Sequence, residues 1–207
     1  MAREPVAVAV LAKAPVPGFA KTRLIPALGA DGAAALASRL IDRAVATACD
    51  ADVGSVTLWA APDEAHATFQ SLRARFDIAL ARQPDGDLGA RMLAALVAAN
   101  GPALIVGTDC PALTAAHLRA AAEALRGGTD VVVFPAEDGG YVLIGARKIE
   151  PALFSAMPWS TAEVMDETRR RLKALGLTWQ EPVTLWDVDA PDDLVRLRES
   201  GLGALMR

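Results

Sequence analysis

Two cysteines, Cys49 and Cys110, and two histidines, His66 and His117, are all that 207 residues provide of either type. A disulfide framework is excluded, and so is a zinc set, because a tetrahedral site wants about four ligands and would have to consume all of them. So little cysteine makes the reducing cytoplasm the expected location. Basic residues (21) fall short of acidic ones (25), and the net charge of −4 argues against a general nucleic-acid binder while allowing a local basic site. No stretch approaches the ~18 uninterrupted apolar residues of a membrane span. The apolar run Val6–Ala12, behind the weakly charged start Met1-Ala-Arg-Glu-Pro5, ends at Lys13 without room for a signal peptide and reads as a first strand.

What is plentiful is alanine, 44 residues, which inflates the 53% apolar content with a side chain that forms helix well and buries little area. Charged residues at 22% still leave a chain that can build a core, so disorder is excluded as the main state. The length suits one domain, 1–207, and no linker, repeat or composition break divides it.

Apolar runs without a polar face, as expected of strands buried on both sides, occur at 6–11, 56–60, 103–106 and 130–134. Helical patterns occupy about 31–49, 63–75, 88–99, 114–126, 161–175 and 191–199. This alternation predicts a three-layer α/β fold, a mainly parallel sheet with helices on both faces. In such sheets ligands sit beyond the carboxyl ends of the strands, so the loops after each run carry the information.

The first loop, Leu11-Ala12-Lys13-Ala-Pro-Val-Pro17-Gly18-Phe-Ala-Lys21-Thr-Arg23-Leu24, holds two of the four lysines in the chain. Ammonium and guanidinium groups on a stiffened loop suit a polyphosphate and a leaving pyrophosphate. The spacing is neither a Walker A loop nor a dinucleotide fingerprint. An exposed basic loop leading into a helix would explain the same residues.

In the second loop, Gln83 to Met92, Gly86 and Gly89 permit close approach to a flat ring, and Asp87 suits the cap of a helix starting near Leu88. The third, Gly107-Thr108-Asp109-Cys110-Pro111, puts a carboxylate directly after a buried strand, where it can hold a divalent metal on a diphosphate. In the fourth, Asp138-Gly139-Gly140 is a hairpin turn or an acceptor contact, with the only tyrosine, Tyr141, directly behind it. In the fifth, Pro191, Asp192 and Asp193 suit a helix start. Asp187 and Asp189 are not needed for that helix, and either can face the metal of Asp109. Ser160 and Glu163 are spaced as a capping box, and Trp159 either covers a ligand or staples the helix.

Two other chemistries fail on inventory. His66 and His117 lie in Ala-rich helical stretches, where surface or packing roles suit them better than a catalytic triad. Cys110 has no base or cationic partner and reads as a buried small residue.

Taken together, Ala12-Lys-x-Pro-x-Pro-Gly-x-x-Lys-Thr-Arg-Leu24, Gly86-Asp-Leu-Gly-x-x-Met92, Gly107-Thr-Asp-Cys-Pro111, Asp138-Gly-Gly-Tyr141, Trp159-Ser-Thr161 and Asp187-Val-Asp-x-Pro-x-Asp-Leu194 resemble the bacterial family DUF2064. That glycosyltransferase-like family lies within the nucleotide-diphospho-sugar transferase superfamily. The resemblance implies a GT-A type fold and assigns roles by similarity: Lys13, Lys21 and Arg23 to a phosphate-binding first loop, Gln83 to Gly89, with Gly86 and Asp87, to the base, and Asp109 and Asp189 to the metal; Leu11, Ala12, Pro17 and Gly18 of the first loop are expected to contact the nucleotide. Asp138, Gly139, Gly140, Tyr141 and Trp159 fall to the acceptor. The second Asp of an Asp-x-Asp motif is missing around Asp109, which tilts the reading from glycosyl to nucleotidyl transfer.

The expectation is therefore a cytoplasmic transferase using Mg2+ (or Mn2+), a nucleotide or nucleotide-sugar and a small-molecule acceptor, with Lys21 and Arg23 stabilising the leaving pyrophosphate. Glycosyl transfer from a nucleotide-sugar at the same site is the alternative, and a nucleotide-binding regulator without turnover is a third reading. No nucleic acid and no membrane span are expected; a homodimer stays open.

Overall fold

The computed structural model describes residues 3–206; Met1 and Ala2, part of the charged start, lie outside the described residues, as does Arg207. Seven strands, β1 (Ala7–Lys13), β2 (Val56–Ala61), β3 (Ala79–Arg82), β4 (Ala103–Val106), β5 (Val131–Pro135), β6 (Tyr141–Ala146) and β7 (Trp179–Gln180), form one sheet in the order β3-β2-β1-β4-β6-β5-β7. β1 pairs in parallel with β2 and β4, β2 with β3 and β5 with β7; only β6 runs antiparallel, to β4 and β5. The exception follows from chain length, since the short Ala136–Gly140 connection can join only antiparallel neighbours.

The six helices are α1 (Ile25–Ala51), α2 (Ala67–Arg75), α3 (Leu88–Ala99), α4 (Ala115–Arg126), α5 (Val164–Ala174) and α6 (Pro191–Leu197). Alternate residues of β1 divide between the layers. Val8, Val10 and Ala12 pack with Ile41 and Val45 of α1, Phe69 of α2 and Leu118 of α4. Ala9 packs with Met92 and Leu96 of α3 and Met165 and Leu172 of α5. Side chains as enclosed as Phe69 and Phe134 contribute roughly 1.5–3 kcal/mol each. This is the expected three-layer α/β architecture. The segment Thr22–Ala51 is long and apolar enough to cross a membrane by length and composition, but here Leu36, Leu40, Ile41 and Val45 are buried in the protein.

Several boundaries differ from the sequence reading. α1 starts six residues before Asp31, with Pro26 in its first turn and a break at Gly29 (φ 71°, ψ 167°) that leaves the regular helix close to the expected start. α2 begins at Ala67, capped by His66, whose ring accepts from Thr68 N. β3 and β7 carry no long apolar run, and each depends on pairing with a neighbour already in place. The Ser160–Glu163 capping box does not form: Ser160 adopts φ 65°, and Thr161 Oγ1 receives the Glu163 N–H instead. His117 closes a capping box with Thr114 on α4.

Candidate active site

β1 and β4 lie side by side, and the chain leaves β1 toward β2 on one flank while β4 continues the sheet on the other, so the strand order reverses between them. At such a reversal the two following loops diverge and leave a crevice beyond the strand ends. The loops after β1 and β4 border it, with residues 19–23 and 107–109 in its wall, and a distant segment, 185–189, is hydrogen-bonded alongside. Val188 N donates to Asp109 O at 2.8 Å and Leu185 N to Pro135 O at 2.9 Å. Arg43 Nε of α1 donates to Pro111 O at 2.8 Å and fixes the third loop from below.

This framework brings the charges together. Lys21, in the left-handed region at φ 48°, turns its side chain inward until only 6% is exposed. Its ammonium contacts Asp109 Oδ1 at 2.7 Å and donates to Val188 O at 2.5 Å. Arg23 stays exposed and pairs with Asp189. Asp189 is thus held by a cation, and the start of α6 is capped by Asp193, which accepts from Asp189 N and Ala190 N. Asp187 forms no ion pair among the described residues, and burial, then the Asp138 and Asp109 charges, push its carboxyl up to about 6 against a smaller opposing pull from Lys21.

Three cavities follow one another along this groove. One of about 450 Å³ is walled by Leu11, Ala12, Lys13, Lys21, Arg23, Gln83, Asp109 and Asp189 among others. The next, about 590 Å³, shares Arg23, Leu88, Asp109 and Asp189 with it and adds Asp138, Gly140, Tyr141, Trp159 and Asp187. A third, about 500 Å³, opens from the first at Lys13, Phe19, Ala61, Gln83 and Arg91. In the second cavity the Tyr141 and Trp159 rings meet edge to face at 6.3 Å, and the Tyr141 hydroxyl donates to Met92 Sδ at 3.7 Å. Burial raises that hydroxyl's pKa, and Tyr141 forms part of the cavity wall.

Other residues singled out in the sequence stand outside these walls. Pro17 and Gly18 (φ 81°) make the turn that carries Phe19. Asp87 caps α3 through Ala90 N at 2.8 Å. Gly86 sits in that turn at φ 120°. Gly89 leaves room for the protein: a Cβ there would stand 2.5 Å from Phe154 O and 2.9 Å from Trp159 Cζ2. Gly139 likewise clears Ala162 O, 2.2 Å from where a Cβ would be. Burial pushes the Cys110 thiol up to about 11, in keeping with an inert packing role. Phe19, Leu88 and Arg91 line the groove without having been singled out, since an aromatic in a loop and single residues on a helix carry no local signal.

Asp109, Asp187 and Asp138 offer only carboxylate oxygens, and burial first, then the Asp138 and Asp109 charges, raise the Asp187 pKa; a bound cation would relieve the charge part of that shift. Among the described residues no three His, Cys, Asp or Glu side chains form a ready cage. A divalent cation held there would take one or two of these carboxylates and complete its shell with phosphate and water.

Comparison with known proteins agrees with this geometry. The family described as "Uncharacterized protein conserved in bacteria (DUF2064)" matches residues 44–161. No match is found among curated proteins. A protein of Desulfovibrio desulfuricans G20, provisionally assigned as a nucleotide-diphospho-sugar transferase, superposes with TM-score 0.85 at 26% identity, over 98% of this chain and 90% of its own. CMP:2-keto-3-deoxy-manno-octonic acid synthetase in complex with CTP gives TM-score 0.60 at 13% identity, covering 97% of this chain and 100% of that one. Glucosyl-3-phosphoglycerate synthase of Mycobacterium tuberculosis, with Mn2+, UDP and glucosyl-3-phosphoglycerate, gives 0.56 at 10%, covering 98% and 78%. The fold is that of nucleotide-utilising transferases of GT-A type.

Proposed function

The chain belongs to the bacterial family DUF2064, and on that footing we propose that it is a divalent-metal-dependent nucleotidyltransferase acting on a nucleoside triphosphate and a small acceptor. One observation carries the reading: the cavity containing Lys21 and the cavity containing Tyr141 and Trp159 meet at Arg23, Asp109 and Asp189. Donor and acceptor would thus converge on the charged residues.

In this reading the triphosphate occupies the first cavity. An acceptor oxygen, from a phosphate or a hydroxyl, enters from the second and bonds to the α-phosphorus as the bond to the β-phosphate breaks. Pyrophosphate leaves, and a hydroxyl's proton passes to solvent. Arg23 and Lys21 offset the charge that grows on the leaving group. Asp109 and Asp187 would hold the cation, which when bound supplies charge neutralisation on the phosphates; Asp189 orients Arg23. Lys21, meanwhile, keeps Asp109 neutralised in the resting site. Trp159 and Tyr141 offer the acceptor a flat apolar wall.

Magnesium and manganese both suit these oxygen donors. The lone carboxylate of Thr108-Asp109-Cys110 favours nucleotidyl over glycosyl transfer. The test is the product: incubation with nucleoside triphosphates, Mg2+ and a panel of sugar phosphates should release pyrophosphate. Release of nucleoside diphosphate from a nucleotide-sugar, with no pyrophosphate from any triphosphate, would replace this reading by glycosyl transfer.

A further inference from the structure

Among the described residues, the Arg91 and Phe19 side chains stand out. Arg91, on α3, has its Nε buried without a hydrogen-bond partner, a costly state for a cation. Phe19 is 69% exposed, carried outward on the Gly18 turn and tied back through Phe19 N to Val16 O at 3.0 Å. Both side chains line two cavities: the one containing Lys21 and Asp109, and the adjoining one that contains none of Lys21, Arg23 or Asp109.

The adjoining cavity has apolar faces from Ala14, Val16 and Pro62, a polar edge at Gln83, and charged lining at Lys13, Arg82 and Asp85. Gln83 is 8% exposed, and its amide nitrogen donates to Ala12 O at 3.0 Å and Trp59 O at 2.8 Å. Both partners are carbonyls, so the orientation is fixed and one acceptor, Oε1, remains for whatever fills the cavity. Apolar faces with a polar edge fit a flat heteroaromatic ring. An aromatic ring and a guanidinium plane both stack on such a ring.

We infer that Phe19 and Arg91 clamp the nucleobase of the bound nucleotide in the cavity beside Gln83. The inference rests on the nucleotide reading above and adds the residues that grip the base. Because every base has a π face, the clamp tolerates different bases and contributes affinity.

Isothermal titration with ATP, CTP, GTP, UTP and inorganic tripolyphosphate, all with Mg2+, tests it. Phe19→Ala and Arg91→Met should each raise the Kd of the best-bound triphosphate by about tenfold and leave the tripolyphosphate Kd unchanged. In Phe19→Trp, the nucleotide should change the indole fluorescence and tripolyphosphate should not. Unchanged nucleotide affinity in Phe19→Ala, or equal weakening of nucleotide and tripolyphosphate in Arg91→Met, overturns the clamp and leaves the nucleotide reading standing. If none of the four nucleotides binds the native protein, the nucleotide reading fails and the clamp with it.

Discussion

Lys21 and Asp109 meet at 2.7 Å across the crevice, one from the loop after β1 and the other from the loop after β4. The contact ties together the ends of two parallel neighbours, and the ammonium also takes the Val188 carbonyl from the segment alongside. A lysine this enclosed is held in place for any phosphate that arrives, with little side-chain entropy left to lose.

Removing it should therefore cost catalysis more than folding. Lys21→Met is expected to lower turnover by about a hundredfold or more. It should also weaken triphosphate binding more than monophosphate binding. Titrations with both ligands check this; equal weakening, or none, returns Lys21 to a structural role.

Asp187 and Asp189 should separate under the same substitution. Asp187→Asn removes a carboxylate that faces Asp109 and Asp138, so Mg2+ should cease to enhance nucleotide binding. Asp189→Asn loses the ion pair with Arg23, so triphosphate affinity should fall while the response to Mg2+ survives. The two Mg2+ titrations, run side by side, test the assignment.

How the carboxylates divide their work is where sequence reasoning stopped. Asp109 is legible because an acidic residue directly after a buried strand has a known place in this architecture. Asp187 and Asp189 flank Val188, and only the observed pairing of Arg23 with Asp189 distinguishes them. Strands β1, β2, β4 and β5 are legible because each reads as an apolar run, β4 and β5 being buried on both faces and β2 on one with the other half-buried. β3 and β7 owe their existence to their neighbours, and Gly89 owes its lack of a side chain to Phe154 and Trp159, far along the chain. Arg91 could not be found from sequence, since its significance lies in a buried Nε without a hydrogen-bond partner among the described residues.

The raised pKa of Asp187 has a sign that can be measured. Half-burial, with the Asp138 and Asp109 charges, pushes the carboxyl up to about 6 in the folded, metal-free protein, above the ordinary aspartate value of 3.8. Between these values the folded state keeps a proton that the unfolded chain has lost, so stability falls as pH rises through the window. Melting temperatures of metal-free protein should therefore decline less from pH 4 to 6.5 in Asp187→Asn than in the native chain. Parallel curves would remove Asp187 as the source.

Asp193 provides a control outside the chemistry. Its carboxylate receives the Asp189 and Ala190 N–H groups. Asp193→Ala should cost about 1 kcal/mol of stability and shift the melting temperature without abolishing the Mg2+ response. Loss of that response would place Asp193 in the site itself.

The central claim, that this groove takes a nucleoside triphosphate together with a divalent cation, is tested most directly by thermal melting. The native protein and Asp109→Asn would be measured with each nucleoside triphosphate, with and without Mg2+. Ligand at about a hundred times its Kd adds about 2.7 kcal/mol, which for a chain of this size raises the melting temperature by roughly 5–10 °C. The account predicts that rise for the native protein only when nucleotide and Mg2+ are both present, and its loss in Asp109→Asn with the unliganded melting temperature kept within about 2 °C. No rise with any triphosphate, or an undiminished rise in Asp109→Asn, would contradict it.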